Sequence, residues 1–307
     1  MARVVTAHTP LGEEQLKFRS MRGTEGLSQL FEFEVDLLSA DAALDLKALL
    51  GKPLTLEIQT AVAGAPRFLN GQVVRFSMVG REGGTSRHTV YRAIVRPWLW
   101  YLTRSSDNKI FQNKSVVEIL EEVFGDYGFA FEKKLSGSYR QWEYCVQYNE
   151  SDFAFVSRLM ELEGIYYWFR HEKGQHTLVL ADDAGAHEPM PGYETIDYFA
   201  ADRDIGEDME VIRDWQPSEE VRPGSYTVDD FNFTTPKGDL VNVRSQPRSH
   251  DNAGHDIYEW LGDYPAAGDG EHYARVRLEE VQALAQRSNG QATVRGMAPG
   301  YKFTMRN

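Results

Sequence analysis

The sequence predicts an α+β fold that is mostly β, and three observations favour it. Short runs that alternate apolar and polar residues recur along the first hundred positions, as they do in half-buried strands. Aromatic residues make up 12% of the chain and include 15 tyrosines, which is typical of β-rich proteins. Helical segments are few, with one short helix before residue 107 and the amphipathic helices after it. The 307 residues would fill roughly two domains of about 150 residues each, or one large β domain.

The chain is acidic, and its composition excludes several classes of function. It has 46 acidic and 33 basic residues, a net charge of −13, whereas binding to nucleic acid or to an anionic membrane requires clustered lysine and arginine. No apolar run approaches the ~18 residues of a membrane span, and the first ten residues lack the apolar core and cleavage site of a secretory signal peptide. Cys145 is the single cysteine, which excludes an intrachain disulfide and a metal site with two cysteine ligands.

The first 107 residues are expected to form strands with one short helix. The predicted strands are 30–38, 54–60, 68–79 and 86–95. A glycine-rich run at 80–84 is placed to turn the last two strands into a hairpin. Asp41 and Gly51 occupy the N-cap and C′ positions of a short helix between the first two strands. Strands with this spacing are typical of a small barrel or sandwich.

The pattern becomes mixed α/β between 108 and 205. Ser115 and Glu118 form the capping box of an amphipathic helix. A second helix is expected to begin at about Asp152 and to end at Gly164. The two hairpin strands predicted after it are 165–170 and 176–181.

From residue 206 the pattern is sparser. One or two strands are expected within 225–235, and the longest helix over 272–290. Short strands follow from Gln291 onward. The last of them reaches the C-terminus with no further strand to pair with, so we expect the chain to be a fragment of a longer one.

A weak internal echo links the two ends of the chain. Phe31-x-Phe33 resembles Phe231-x-Phe233, and GQVVRF at 71–76 resembles GQATVRG at 290–296. Two related β units in one chain would leave such an echo.

One histidine-rich segment resembles a zinc-binding motif. His171 and His176 are five positions apart, whereas a zincin needs two histidines four apart on a helix, and a hairpin turn between strands fits the segment better. Asp182, Asp183 and His187 add donors, but the segment is polar and turn-like, so we expect an exposed rim. We assign no catalytic, cofactor-binding or metal-ligating residue and no cofactor.

The remaining candidates also favour structural roles. The acidic run 202–208 lacks the spacing of an EF-hand. Cys145 has no adjacent basic residue and fits a packed thiol. Glu161 and Glu163 lie two apart on a helix and point in different directions. The absence of a catalytic constellation favours a scaffold over an enzyme.

The most distinctive stretch is WEYCVQYNESDFAFVSRLMELEGIYYWFRHEKGQHTLVLAD, at 142–182. It resembles VgrG, the spike protein family of the bacterial type VI secretion system, which is related to phage late control protein D and to the tailed-phage baseplate hub. Segments at 90–123, 222–236 and 270–280 resemble the family in the same order, so the resemblance covers nearly the whole chain.

The resemblance implies a phage-hub-like fold with two related β-barrels. The implied divisions are a first barrel at 1–107, an α/β domain at 108–205, an incomplete second barrel at 206–250 and 291–307, and a helical insertion at 251–290. The family forms homotrimers, so three chains would give six barrels in a pseudo-sixfold ring. The aromatic segments 97–102 and 165–169 are candidates for interface or core, with core favoured.

The resemblance also implies a structural, non-enzymatic function. The trimer would join a hexameric Hcp-like tube to a threefold spike, with a PAAR-like tip protein, effectors or their adaptors, and baseplate proteins as further partners. It would assemble in the bacterial cytoplasm and be secreted or delivered into a target cell without a signal peptide, with no nucleic acid bound and no stable membrane insertion.

Three alternatives remain open at this point. The first is a phage-tail or pyocin baseplate hub with the same architecture. The second is a metal-dependent cell-envelope hydrolase with His171, His176, Asp182 and His187 as ligands. The third is a β module that binds carbohydrate or a protein partner.

Overall fold

The computed structural model describes residues 4–83, 87–200, 202, 206 and 209–307. Strands account for 42% of the chain and helices for 17%, so the mostly β fold class is confirmed. Most of the acidic run 202–208 and the end of the predicted 80–84 turn lie outside the described residues. Across the described part of the chain, no helix is both long and apolar enough to cross a bilayer.

Six antiparallel strands form a nearly closed barrel at the start of the chain. They are β1 (Val5–His8), β2 (Lys17–Thr24), β3 (Glu32–Ser39), β4 (Pro53–Ile58), β5 (Arg67–Arg81) and β6 (Thr89–Arg96), in the order β1-β4-β5-β6-β3-β2. Alternate residues of β3, such as Val35 and Leu37, are fully buried. β5 has register shifts after Val73 and after Met78, which allow this long strand to bend around the barrel. The four strands predicted here are therefore confirmed.

The prediction of a helix within 41–51 was wrong. The segment forms only a 3₁₀ turn, Leu46–Ala48, capped by Asp45 rather than Asp41. Leu49 is the anchor that enters the core, and no residue of the turn itself is buried. A segment this short with one buried anchor lacks the apolar face that would stabilise an α-helix.

The middle of the chain forms two helices and a hairpin, as predicted. After a 3₁₀ helix, Trp98–Arg104, come β7 (Ser106–Phe111), β8 (Lys114–Ser115), α1 (Val116–Gly125), β9 (Phe131–Lys134), β10 (Gln141–Trp142), β11 (Cys145–Ser151), α2 (Asp152–Glu163), β12 (Tyr166–Glu172) and β13 (Gln175–Ala181). The capping box of Ser115 and Glu118 is present at the start of α1. Gly164 ends α2 in the left-handed conformation, with φ of 72°.

One hydrophobic core runs through the barrel and the middle of the chain. It includes Leu54 and Phe76 of the barrel together with Ile119, Phe155 and Leu178 of the following elements. The aromatic segments 97–102 and 165–169 also lie mainly in cores rather than on the surface: Trp98, Leu99, Leu102, Tyr167, Trp168 and Phe169 are all buried. These two parts of the chain are thus packed as one unit.

The rest of the chain forms small sheets and one helix. The elements are β14 (Glu188–Pro189), β15 (Thr195–Asp197), β16 (Ile212–Glu219), β17 (Ser225–Asp229), β18 (Asn242–Ser245), β19 (Asp256–Trp260), α3 (Ala267–Gln282), β20 (Gln286–Ala292), β21 (Tyr301–Lys302) and β22 (Thr304–Arg306). β18, β17 and β19 form one sheet, β16 pairs with β20, β14 with β21, and β15 with β22.

The predicted bounds of the last helix were wrong at both ends. α3 begins at Ala267, and Gly270 in its first turn lies so close to Tyr264 that a Cβ there would be 2.5 Å from the ring. It ends at Gln282, and β20 then pairs with β16. The segment 251–290 therefore contains strand residues on both sides of its helix.

The expectation of an unpaired last strand was also wrong. β22 pairs in parallel with β15, with Ile196 opposite Met305. Beside it lies a small core around Tyr193, Ile196 and Ile212. Within the described residues these short sheets do not close into a second barrel, and the two-barrel division with its domain bounds stays a prediction.

Candidate functional site: a histidine joint and the buried acid of α2

The β12–β13 hairpin carries two of the four residues predicted as possible metal ligands. His171 and His176 lie directly opposite each other across the hairpin, whose turn contains Gly174 at φ of 87°. The prediction of a hairpin turn is confirmed. The prediction of an exposed rim was wrong for both histidines, since the His171 side chain is 5% exposed and His176 is 4% exposed.

His176 is held as a neutral imidazole of defined tautomer. Its Nε2 accepts a hydrogen bond from the Trp98 backbone N–H at 2.9 Å, so Nδ1 carries the proton and donates to Asn70 Oδ1 at 2.8 Å. The Asn70 amide in turn donates to Thr55 Oγ1 at 2.7 Å. Burial, with His171 nearby, lowers the pKa of His176 to about 3. No lone pair of the ring is left for a metal ion.

His171 completes the joint on the other side of Asn70. The Asn70 backbone N–H lies 3.0 Å from His171 Nδ1. The opposite ring nitrogen, Nε2, lies 3.6 Å from Glu25 Oε2, and Glu25 is ion-paired with Arg67. Burial first and the positive charge of Arg67 second lower the pKa of His171 to about 3. Both histidines are therefore neutral at physiological pH.

We call these groups the histidine joint, defined as Thr55, Asn70, His171 and His176. It connects β4 and β5 of the barrel to the β12–β13 hairpin, and the ring of Phe31 packs edge-on against His176 at 5.6 Å. The joint fixes the barrel against the hairpin through hydrogen bonds of both histidines to Asn70, while His171 Nε2 is buried without a hydrogen-bond partner. Sequence reasoning missed it because its Asn70 half lies about a hundred residues upstream of the histidines, and no local pattern links the two.

The other two ligand candidates have separate structural roles. The carboxylate of Asp182 accepts hydrogen bonds from the backbone N–H groups of Ser136 and Gly137 and from the Tyr139 hydroxyl at 2.9 Å. His187 stacks against aromatic rings, and its Nδ1 lies 2.8 Å from a backbone carbonyl oxygen. Nowhere in the described residues do three His, Cys, Asp or Glu side chains come together to hold a metal ion. The hydrolase alternative thus has no ligand set there.

Cys145 and the paired glutamates of α2 fit their structural interpretations. Cys145 is buried, and burial raises the pKa of its thiol, which disfavours the reactive thiolate. Glu161 is exposed, whereas Glu163 is 2% exposed and points toward α3. Glu163 accepts a hydrogen bond from the Tyr273 hydroxyl at 3.2 Å and lies 3.2 Å from His272 Nε2. This buried acid connects α2 to α3.

Known protein families match the chain over most of its length. Residues 24–307 match the family model described as phage tail baseplate hub (GPD). The type VI secretion system spike proteins VgrG1c and VgrG1a of Pseudomonas aeruginosa are each 44% identical to the chain over 307 residues, 99% of this chain. The aligned part is 42% of VgrG1c and 47% of VgrG1a, so the chain spans less than half the length of these relatives.

Solved structures with the same fold come from secretion systems and phage tails. The E. coli c3393 protein is described as a type VI secretion component similar to the T4 bacteriophage tail proteins gp27 and gp5. It matches with a TM-score of 0.69 at 19% identity, over 98% of this chain and 67% of its own. The prophage MuSo2 43 kDa tail protein of Shewanella oneidensis matches with a TM-score of 0.63 at 11% identity, over 99% of this chain and 88% of its own. At these identities the matches show a shared fold.

Proposed function

We propose that the chain, which belongs to the phage tail baseplate hub family, is the hub segment of a VgrG-like spike of a type VI secretion system. The observation that carries this proposal is the 44% identity to VgrG1c and VgrG1a along almost the entire chain. Identity at this level to two secretion spike proteins favours the secretion-system context over the phage-tail context.

The interior chemistry of the chain fits a structural role. The histidines of the joint donate and accept within the fold, and Asp182 is saturated by the loop that it caps. Buried polar groups that are paired rigidify a fold, and His171 Nε2, the ring nitrogen of the joint without a hydrogen bond, faces Glu25 at 3.6 Å. We therefore assign the segment no enzymatic activity, and its function resides in its shape and its contacts.

The proposed assembly is a homotrimer in the full product of the gene. Three chains would present a hub between a hexameric Hcp-like tube and the threefold spike, with a PAAR-like tip, effectors or their adaptors, and baseplate proteins as the other partners. The complex would assemble in the cytoplasm and then be secreted or delivered into a target cell. Closed cyclic symmetry of this kind makes the inter-chain surfaces the functional sites.

Mass measurement in solution, together with a secretion assay, tests the proposal. The full gene product is expected to have the mass of a trimer, and deletion of the gene is expected to abolish release of the tube protein into the culture medium. Complementation with the intact gene should restore release. A stable monomer, or unchanged tube-protein release in the deletion strain, would contradict the proposal.

A phage-tail or pyocin hub is the second candidate, favoured by the match of residues 24–307 to the phage tail baseplate hub family. The same deletion strain separates the two. Loss of tail-like particles from induced lysates, with tube-protein secretion intact, would support this second candidate over the first.

A further inference from the structure

A cavity of about 690 Å³ opens between α3 and the start of β12. Ile165 and Val276 line it and are buried, so they form its floor together with Gly164. Leu27, from the loop between β2 and β3, adds an apolar side chain that is 45% exposed. The volume is within the usual range of ligand pockets. We call this cavity the α3 groove, with Gly164, Ile165 and Val276 as its floor.

α3 contributes one wall of the groove. Val276, Glu279, Glu280 and Ala283 are spaced at i, i+3, i+4 and i+7, so they lie along one side of the helix. Val276 is buried, whereas the other three are exposed and form the rim on this wall. At a rise of 1.5 Å per residue the wall is about 10 Å long. An extended peptide rises about 3.3 Å per residue, so three of its residues would span the groove.

The groove carries an excess of negative charge. Five carboxylates and one guanidinium line it. The guanidinium is that of Arg275, and it already pairs with Glu279 at 3.1 Å. Glu280 pairs at 3.0 Å with Arg277, which is not one of the lining residues. The cations close to the groove are therefore already engaged on α3.

Two carboxylates on the opposite wall remain without a cation. Glu161 is exposed on the last turn of α2, and it has no ion pair among the residues that the structure describes. The Asp183 carboxylate accepts a hydrogen bond from the Gly185 backbone N–H at 2.6 Å, and within the same residues it also lacks an ion pair. A ligand with positive charge on either side of an apolar group would neutralise both.

This charge decides which kind of occupant fits. Nucleic acid, an anionic lipid or a second chain with a charge of −13 would bring further negative charge to the rim. In an extended segment, successive side chains point to opposite sides. An apolar side chain directed at the floor is therefore flanked by two that point outward, and long basic side chains at those places can bend toward the rim.

We propose that the α3 groove binds an extended segment of another protein in which one apolar side chain lies between lysines or arginines. The apolar side chain packs on Ile165 and Val276, and its basic neighbours pair with Glu161 and Asp183. The proposal goes beyond the hub function, because the groove is built by one chain and gives it a docking site that does not depend on assembly.

The first experiment measures binding of two defined peptides to the full gene product by fluorescence anisotropy. The fluorescein-labelled peptide Lys-Arg-Phe-Arg-Lys is expected to bind. Lys-Arg-Ser-Arg-Lys has the same charge but no apolar side chain, so its Kd should be at least about tenfold higher. Raising sodium chloride from about 0.05 M to about 0.5 M should weaken binding of the first peptide, since salt screens the rim carboxylates.

The second experiment changes the groove. Glu161→Lys reverses an exposed rim charge and should raise the Kd of the phenylalanine peptide about tenfold. Glu14→Lys is the matched control, because it changes the net charge equally at a side chain that is 98% exposed and does not line the groove, so it should raise the Kd less than about twofold. Ala184→Trp fills the groove without changing its charge and should abolish binding, whereas Ala40→Trp, also at an exposed position, should not. Circular dichroism checks that each variant is folded.

The possible failures have different meanings. Equal binding of the two peptides, equal weakening by Glu161→Lys and Glu14→Lys, or no binding at all would overturn the proposal. Binding to the 307-residue chain but not to the full gene product would show that another part of the product covers the groove, which would overturn the assignment to a separate protein. None of these results changes the mass of the assembly or the secretion of the tube protein, which test the hub function.

Discussion

The imidazole of His176 bridges the backbone of Trp98 and the side chain of Asn70, which come from different parts of the fold. Both contacts need the neutral ring, because a protonated Nε2 could not accept from the Trp98 N–H. The surroundings enforce this state by burying the ring and placing His171 beside it. At the residue scale, His176 is therefore a rigid spacer whose two ring nitrogens both bond within the fold.

Removal of the His176 imidazole should lower the free energy of unfolding. His176→Ala leaves the Trp98 backbone N–H and the Asn70 side-chain oxygen without partners and opens a cavity. We therefore expect a loss of about 3 kcal/mol in the free energy of unfolding. Urea unfolding followed by tryptophan fluorescence measures the loss. His255→Ala is the control, since His255 is exposed and should change stability by less than about 0.5 kcal/mol. Equal effects of the two substitutions would contradict the role of the joint.

The joint also predicts how stability depends on pH. Both histidines have a folded-state pKa of about 3, below the unfolded value of about 6.5, so the unfolded chain binds protons that the folded chain does not. Their stabilising contribution is complete above pH 6.5 and is lost as the pH falls from 6.5 toward 3. At pH 5 the expected loss is about 2 kcal/mol for each histidine.

Unfolding free energies at pH 7, 6 and 5 test this dependence. His176→Gln removes one titrating ring, so its stability should fall less steeply between pH 6.5 and 5 than that of the unsubstituted chain. Parallel curves for the two proteins would mean that His176 does not remain neutral in the folded state.

Local patterns predicted some of these residues and missed others. The capping pair Ser115 and Glu118 lies within one helical turn, so the sequence contains the whole interaction. The histidine joint depends on Asn70, whose contact with His176 spans about a hundred residues and leaves no periodic signal. Without that partner, His171 and His176 were predicted as part of an exposed rim.

At the element scale, the contact between α2 and α3 depends on Gly164. This residue ends α2 with φ of 72°, and a Cβ there would lie 2.9 Å from Val276 Cγ2 of α3. The close approach brings Glu163 within reach of His272 and Tyr273. A glycine predicted only as a helix stop thus also sets the distance between two helices.

Alanine substitutions separate the two roles of this glycine. Gly164→Ala should cost about 1–2 kcal/mol for the left-handed conformation and a further amount of about 1 kcal/mol or more for the clash with Val276. Gly128→Ala is the matched control, because Gly128 has φ of 68° but open space around its Cα, so it should show only the first cost.

A double substitution isolates the clash. Val276→Ala in the Gly164→Ala background should recover about 1 kcal/mol relative to the sum of the single effects, as measured by urea unfolding. Strict additivity of the two substitutions would contradict a direct contact between these positions.

Element bounds followed from the sequence where caps and turns were local. Gly164 and the capping box defined α1 and α2 correctly, whereas the first turn of α3 contains Gly268 and Gly270, which read as helix breakers. Close contact with Tyr264 explains why glycine is required at position 270. The pairing of β22 with β15 could likewise not be predicted from the sequence, because a parallel pair of three residues has no sequence signature.

At the scale of the whole molecule, the barrel and the middle of the chain share one hydrophobic core and are not separated at the predicted domain boundary. Trp98, Leu99 and Leu102 precede the predicted boundary at 107, yet they belong to the same core as α1 and α2. The resemblance predicted the order of the parts. That the barrel and the middle of the chain share one core depends on side-chain packing, which no sequence pattern at the boundary indicates.

Truncation tests this fusion. A fragment of residues 1–107 should fail to fold, since the cover for Trp98 and Leu99 is missing, whereas a fragment of residues 1–187 should show cooperative unfolding. Near-ultraviolet circular dichroism and thermal unfolding measure the outcome. A cooperative transition in the shorter fragment would show that the barrel is independent.

The charge of the whole molecule predicts how its assembly responds to salt. Three copies of this segment, at −13 each, would bring a charge of −39 together. Repulsion between the bodies of the copies then opposes association, and salt screens it over about 10 Å at 0.1 M. We expect the trimer of the full gene product to dissociate at a lower protein concentration in 0.5 M sodium chloride than in 0.05 M. Light scattering across a dilution series at each salt concentration measures the shift. Weaker association at the higher salt would instead indicate that salt bridges between copies outweigh this repulsion, which would contradict the prediction.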